Sequence, residues 1–170
     1  MDIGLLIIRL VVGLTLAAHG SQKLFKWFGG YGISGTAPFL EQLGFRPGRV
    51  QAAVAGIAEF GGGLLLAVGL WTPVAAAVLV SVMLIAAVSV HWKSGFFITS
   101  GGIEYTLVLA AAAAGLAFTG PGALSVDGAL GLSWSAASAV AALAVGITAG
   151  AIQLLMRRRS LVEAAQRQPA

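Results

Sequence analysis

The chain has 170 residues, of which 58% are hydrophobic and only 9% are charged, and its mean hydropathy is +0.94. A soluble domain carries roughly 25% charged residues, and a chain of this length cannot bury so much apolar surface in water. The composition therefore argues against a soluble enzyme, a nucleic-acid-binding domain or a disordered chain, and predicts an integral membrane protein. Since there is no cysteine, disulfides, Cys-ligated iron–sulfur clusters and thiol redox chemistry are excluded in this chain.

The apolar residues fall into five segments that are long enough, or nearly so, to cross a bilayer as helices, which takes ~20 residues each. A helix satisfies its own backbone hydrogen bonds in lipid, so the predicted fold is an all-α, polytopic transmembrane bundle. The segments cover residues 3–18, 50–70, 74–90, 103–118 and 134–156.

Lys and Arg are confined to alternate loops, and this asymmetry predicts the orientation of the chain in the membrane. The loops 71–73 and 120–133 contain no Lys or Arg, whereas the loops 20–49 and 91–102 and the tail 157–170 are basic. We therefore expect a bacterial inner-membrane protein with its N-terminus outside and its C-terminus in the cytoplasm. The formal net charge of +4 then reflects topology and indicates no nucleic-acid partner. The basic residues are Lys23, Lys26, Arg46, Arg49, Lys93, Arg157, Arg158, Arg159 and Arg167.

The first loop, residues 20–49, is too long for a simple turn and mixes cations with aromatic residues. This composition is typical of a segment at the headgroup level of the membrane. We expect an amphipathic interfacial helix over residues 38–43, capped by Thr36 and ended by Gly44, with an ordered loop as the alternative.

Ionisable residues inside spans are costly and normally have partners, which makes Arg9, Glu59 and Glu104 notable. Counted from the expected cytoplasmic ends of their helices, Arg9 and Glu59 lie at nearly equal depth, ~15 Å and ~13.5 Å from the surface. An Arg9–Glu59 ion pair in the buried polar core is therefore predicted. Such a pair either locks the bundle or forms a polar centre for a ligand head group or proton relay.

A second polar set is expected at the cytoplasmic boundary, where several helices end. Histidine, lysine, carboxylate and phenol groups beside aromatics can hydrogen-bond a quinone carbonyl or exchange its proton. The same groups can instead simply decorate helix ends, and their spacing is not that of a metal or haem site, so no metal is predicted. The candidate contacts are His19, Lys23, His91, Glu104 and Tyr105.

The fifth segment carries small residues at four-residue spacing and no ionisable residue. Small residues allow close helix packing, either within the chain or between copies in a homo-oligomer. The stripe consists of Ser138, Ala142, Gly146 and Gly150.

An ordered succession of short motifs resembles the DoxX family of small bacterial membrane proteins. They are Arg9-Leu10, His19-Gly20, Gln22-Lys23-Leu24, Gly29-Gly30, Ala58-Glu59, Gly61-Gly62, Gly69-Leu70, Thr72-Pro73, Glu104-Tyr105, Gly120-Pro121-Gly122 and Leu124-Ser125-Val126-Asp127. The resemblance implies a four-helix DoxX-like domain over residues 1–131, and the segment 132–156 is then an additional helix. It also implies a likeness to the membrane subunit of a thiosulfate:quinone oxidoreductase.

Three functions follow as hypotheses. The first is an accessory or membrane subunit of a quinone-linked oxidoreductase or oxidative-stress complex, with quinone as the cofactor and a redox enzyme as the partner in the lipid bilayer. The second is a small transporter or permeation protein that uses the midplane Arg9–Glu59 pair. The third is a membrane assembly or scaffold protein. Whether the chain itself catalyses a reaction is left open by the sequence.

Overall fold

The computed structural model describes residues 2–166, and these form seven α-helices without a β-strand. The predicted all-helical, polytopic fold is confirmed. At its C-terminal end α4 continues through a π-helical turn (Ala87–His91) and a 3₁₀ turn (Trp92–Ser94). The α-helices are α1 (Asp2–Phe25), α2 (Gly32–Gln42), α3 (Gly48–Val68), α4 (Thr72–Ala86), α5 (Glu104–Thr119), α6 (Val126–Ala129) and α7 (Ala136–Gln166).

Five of these helices match the five apolar segments. Four of them are long and apolar enough to cross a membrane: α1, α3, α4 with its extension, and α7. The fifth, α5, is apolar but has only 16 residues, or ~24 Å at the helical rise, against ~30 Å for a hydrocarbon core.

The contact between α1 and α3 is the closest in the bundle, because glycines on each helix face the backbone of the other. A Cβ on Gly13 would lie 2.5 Å from the Gly63 carbonyl oxygen, and a Cβ on Gly20 would meet the backbone of Gly56 and Phe60. Small residues let two helix backbones approach in this way. The two antiparallel helices are therefore fixed in a single register.

The helix α4 lies at the centre and packs against α3, α5 and α7, while α1 packs against α3 and α5. This arrangement gives a four-helix core of α1, α3, α4 and α5 with α7 added on the outside of α4. The interior is built from aliphatic side chains and alanine, including Leu16, Leu66, Leu79, Ala113 and Leu116.

The first loop contains a longer helix than the sequence suggested. The helix expected at 38–43 is the second half of α2, which begins at Gly32 and packs against α3. Thr36 lies inside this helix, so its predicted role as a cap is wrong. Gly44 follows the helix end with φ +94°.

The helix α7 continues beyond the predicted segment. It passes through Arg157–Arg159 and runs to Gln166, so these arginines are helical, whereas Arg167 lies outside the described residues. Gly146 packs on the backbone of Ala77, and Gly150 on Ser81 and Leu84, so the small-residue stripe meets α4 of the same chain. These two glycines are buried and not open to a second copy.

The two ends of the bundle differ in charge. One end carries Lys23, Arg46, Arg49, Lys93 and Arg157, and we call it the basic end. We call the other end the opposite end. It contains the α3–α4 turn and the segment from α5 to α7, which has no Lys or Arg between residues 120 and 133.

Candidate functional site

Arg9 and Glu59 are both buried, but they do not contact each other. The Arg9 guanidinium donates to two carbonyl oxygens at the opposite end, Nη1 to Pro121 at 2.5 Å and Nη2 to Leu124 at 2.6 Å. Glu59 instead pairs with Lys23. The predicted Arg9–Glu59 ion pair is wrong.

The register between α1 and α3 explains the error. The prediction placed the end of the first helix at His19, but α1 continues to Phe25, so Arg9 lies further from the basic end than the sequence count gave. With Gly13 against Gly63, Arg9 lies level with Gly69, whose Cβ position is 2.5 Å from Arg9 Nη1. Gly69 and Glu59 are ten residues apart on one stretch of chain, or ~15 Å along a helix.

Lys23 and Glu59 form an ion pair near the basic end of the α1–α3 interface. The Lys23 Nζ lies 2.5 Å from Glu59 Oε2, and it also lies 3.5 Å from the His19 carbonyl oxygen. Among residues 2–166 this is the one side-chain ion pair. Gly56 allows the contact, because Lys23 and Leu24 lie against its Cα.

The remaining predicted contacts divide into two groups. His19 is exposed, and its ring centroid lies 6.2 Å from that of Tyr105. His19 is also close enough to Glu59 to interact with it electrostatically. His91 and Glu104 are held by the loop between them: His91 Nδ1 lies 2.7 Å from the Gly101 carbonyl oxygen, and Glu104 Oε2 accepts from Ile98 N–H. The structure therefore brings His19, Tyr105, Lys23 and Glu59 together and assigns loop contacts to His91 and Glu104.

A cavity of about 460 Å³ opens beside Lys23 at the basic end. It lies between the end of α1, the glycine-rich turn that follows and the start of α2. Its lining combines a cation, an amide, a hydroxyl and aromatic rings: Gln22, Lys23, Gly29, Gly30, Tyr31, Gly35, Thr36 and Phe39. Lys23 is thus shared between the ion pair and the cavity.

The described residues show no group of three His, Asp or Glu side chains that could hold a metal ion. In particular, His19, His91 and Glu104 are not gathered into such a site.

Asp127 forms a second polar centre, at the opposite end. It is fully buried and accepts four hydrogen bonds, from the backbone N–H of Trp71 (2.8 Å) and Thr72 (3.0 Å), the Thr72 hydroxyl (2.8 Å) and the Trp134 indole (2.8 Å). Burial alone raises the pKa of Asp127, but the hydrogen bonds from Thr72, Trp134 and Trp71 outweigh it and hold the pKa below its usual value. The carboxylate therefore stays charged and fastens the α3–α4 turn to the loop before α7.

From the sequence, Asp127 was named only as part of a family motif, and this role was missed. A signal was present, because Asp127 is the one acidic residue in an otherwise uncharged loop and tryptophans flank the segments that it joins. The same network includes Gly69, which ends α3 in the left-handed conformation (φ +68°) and accepts from Asp127 N–H through its carbonyl oxygen. A residue with a Cβ at this position would be strained and would also strike the Arg9 guanidinium.

Comparison with known proteins identifies the family. The family model for DoxX matches residues 4–92, just over half of the chain. The chain belongs to the DoxX family. The matched part contains α1 to α4 and, with them, Arg9, the Lys23–Glu59 pair and the cavity.

Two curated DoxX-type proteins are similar to this chain over most of its length. The "Inner membrane protein YqjF" of Escherichia coli (strain K12) is 29% identical over 133 residues, which cover 78% of this chain and 96% of that protein. The "Putative oxidoreductase CatD" of Bacillus subtilis (strain 168) is 29% identical over 126 residues, 74% of this chain and 86% of that protein. No solved structure matches. A membrane location fits both the helices and the named inner-membrane relative.

Proposed function

We propose that this DoxX protein is the membrane subunit of a quinone-linked oxidoreductase and that the cavity beside Lys23 receives the quinone head group. The observation that carries the proposal is the double role of Lys23, which holds the buried Glu59 and borders a part-polar, part-aromatic cavity. The oxidoreductase name of the Bacillus subtilis relative supports the reaction class.

The residues around the cavity fit a quinone head group. A quinone is a flat ring with two carbonyl oxygens, so its site needs apolar or aromatic surface together with hydrogen-bond donors. Tyr31 and Phe39 supply rings, and Lys23, Gln22 and Thr36 supply donors. The location also fits, because the cavity lies at the basic end beside α2, where a head group can enter from the membrane surface.

The ion pair gives Lys23 a defined charge and position. An ammonium in a part-buried site polarises a carbonyl oxygen more strongly than in water, provided that it stays protonated. Glu59 at 2.5 Å pairs with the Lys23 ammonium and directs it, while His19 of α1 and Tyr105 of α5 lie near each other as further groups that can exchange protons.

The electrons must come from outside this chain. Reduction of a quinone to a quinol takes two electrons and two protons, and a partner oxidoreductase of the same complex supplies the electrons. This chain contributes the binding site and the groups that hand protons to the two carbonyl oxygens.

The test is quinone binding by the purified full chain in nanodiscs. We expect a water-soluble short-chain quinone to bind the wild type, seen by titration calorimetry, and Lys23→Met to lose binding. Lys93→Met removes an exposed lysine at the same end of the bundle and is expected to bind as the wild type does. Equal affinity in Lys23→Met and wild type, with both variants folded by circular dichroism, would overturn the proposed site.

A partner test addresses the oxidoreductase role itself. Mild detergent extraction from native membranes followed by mass spectrometry should recover this chain with a redox enzyme and quinone. Recovery with neither, from membranes that contain both, would contradict the role of oxidoreductase subunit.

A further inference from the structure

A large apolar groove shares no lining residue with the Lys23 cavity. Its volume is about 670 Å³, with α4 as its floor and α3 and α7 as its walls. The groove exists because α7 touches α4 through Gly146 and Gly150 but separates from α3 at membrane depth.

The walls of the groove are joined near the basic end, while the groove stays open along its side. There Gln153 of α7 donates to Gln51 of α3 at 2.6 Å, and Arg157 donates to the Leu43 carbonyl oxygen at 2.6 Å. Arg157 also lies over the Phe45 ring, 5.7 Å from its centroid. Gln51, Ser81 and Gln153 are the polar residues of the lining, and the rest of the groove presents apolar side chains and a glycine.

The length of the groove corresponds to one leaflet. Its α7 wall extends from Ala141 to Gln153, or ~18 Å at the helical rise, and half of a ~30 Å hydrocarbon core is ~15 Å. A cleft of this length between transmembrane helices matches a single hydrocarbon chain.

The charges around the basic end of the groove define the head group. Arg46 and Arg49 are exposed at the start of α3, and Arg158 and Arg159 are exposed on α7 one turn beyond Gln153. Two carboxylates lie at the same level, Glu41, which accepts from Gly48 N–H, and Glu163. With Arg157 the arginines number five against these two carboxylates, so this level of the bundle, which we call the rim, is positively charged. Arg157 is the arginine placed directly at the groove, since it lies over the ring of Phe45, a lining residue. Basic clusters beside transmembrane helices attract anionic lipids.

We propose that the α3–α4–α7 groove is a binding site for an anionic phospholipid of the leaflet at the basic end. One acyl chain fills the groove, and the phosphate lies among the arginines at its rim. The lipid thereby completes the packing between α7 and the four-helix core. This site is separate from the proposed quinone cavity, and neither depends on the other.

The experiment measures lipid retained by the full chain. The protein is reconstituted in vesicles of phosphatidylglycerol and phosphatidylcholine in equal amounts with identical acyl chains, extracted in mild detergent and examined by native mass spectrometry. We expect one retained phosphatidylglycerol per chain. Ala149→Phe, which fills the groove, should lose it, whereas Ala144→Phe, on an exposed part of α7 outside the groove, should keep it.

A second pair of variants tests the contact with the lipid head group. Arg49→Gln should weaken phosphatidylglycerol retention about fivefold, the effect of ~1 kcal/mol per basic residue at an anionic surface. Lys93→Gln, at the same end but outside the rim, should leave it unchanged.

Several results would overturn the proposal. The first is equal retention of phosphatidylcholine and phosphatidylglycerol, and the second is undiminished retention of phosphatidylglycerol by a folded Ala149→Phe variant. The third is a dimer mass that Ala149→Phe abolishes, because a second copy of the chain would then be the occupant. Should Ala149→Phe fail to fold by circular dichroism, Ala58→Phe fills the groove from the α3 side and gives the same test.

Discussion

The Lys23 Nζ lies 2.5 Å from Glu59 Oε2 across the α1–α3 interface, while Arg9, about four turns away on α1, donates to backbone carbonyls. Arg9 and Lys23, the two cations of α1, therefore have separate partners at different ends of the bundle. Lys23 is part-exposed and borders a cavity, whereas Arg9 is enclosed. The difference in exposure is the reason why we propose ligand chemistry at Lys23 and a structural role for Arg9.

Removing one partner of the Lys23–Glu59 pair should destabilise the fold more than removing both. Lys23→Met leaves an uncompensated carboxylate and is expected to cost about 3–5 kcal/mol, whereas the double change Lys23→Met/Glu59→Met should recover most of this loss. Unfolding in a denaturing detergent series measures both. The double variant should still fail to bind quinone. A double variant that is no more stable than Lys23→Met would show that the unpaired Glu59 carboxylate does not cause the loss of stability.

Glycines at the α1–α3 contact should tolerate no side chain. A Cβ on Gly63 would lie 2.5 Å from the Gly13 carbonyl oxygen, so Gly63→Ala must push the two backbones apart, and we expect a loss of about 1–3 kcal/mol. Gly61→Ala is the matched control, because nothing lies within 4 Å of a Cβ at that position of the same helix. Thermal unfolding of the two variants in one detergent should separate them; equal melting temperatures would contradict the close contact.

The helices and their order follow from the hydropathy pattern, because each span must be apolar along its length and the bilayer fixes that length. The pairing of Arg9 was predictable only from the register of α1 on α3. That register is set by the contacts of Gly13 with Gly63 and of Gly20 with Gly56. The sequence prediction counted residues from the expected helix ends, and such a count contains no information about contacts between two backbones. The extension of α1 to Phe25 was also hidden, because Gln22 and Lys23 are polar yet good helix formers.

The candidate site was predictable in part. Lys23, His19 and Tyr105 were identified from the sequence as polar groups at span ends. Glu59 was identified as an ionisable group inside a span, so it was assigned to a different centre from Lys23. The cavity beside Lys23 requires the turn around Gly30 to fold back on Gln22, which no local pattern signals. Asp127 was missed for a similar reason, since its four donors come from the distant α3–α4 turn and from Trp134.

Acidification should loosen the opposite end through Asp127. The pKa of its carboxyl is lower in the folded chain than the usual 3.8, so the ionised form contributes stability above that value, and the contribution is lost as the pH falls through the folded pKa. Melting temperatures of the wild type should therefore fall as the pH drops below the usual value of 3.8, and should keep falling until the pH is below the folded pKa. Asp127→Asn should be less stable at neutral pH, by about 1–3 kcal/mol, and should show a shallower acid slope.

The control for this pH profile is Glu163→Gln, which removes an exposed carboxylate of α7 and should reproduce the wild-type slope. An Asp127→Asn variant with the full wild-type slope would assign the acid sensitivity to other groups.

Arg9 should be coupled energetically to Asp127, although the two side chains do not share a hydrogen bond. Arg9 binds the carbonyl oxygens of Pro121 and Leu124, which lie just before Asp127, and the two charges attract each other. Arg9→Met removes the donors of both carbonyls and is expected to cost about 1–3 kcal/mol for each acceptor left unpaired. Arg9→Lys keeps the charge but not the planar pair of donors, so its loss should be intermediate.

A double-mutant cycle with Arg9→Met and Asp127→Asn measures the coupling. We expect an interaction free energy above about 0.5 kcal/mol, because both changes release the same loop, whereas Arg9→Met combined with the distant Lys93→Gln should be additive within about 0.5 kcal/mol. Additive effects of Arg9→Met and Asp127→Asn would mean that the two residues hold the segment before α7 independently. Coupled effects would show that α1, the α3–α4 turn and α7 are fastened at this end as one unit.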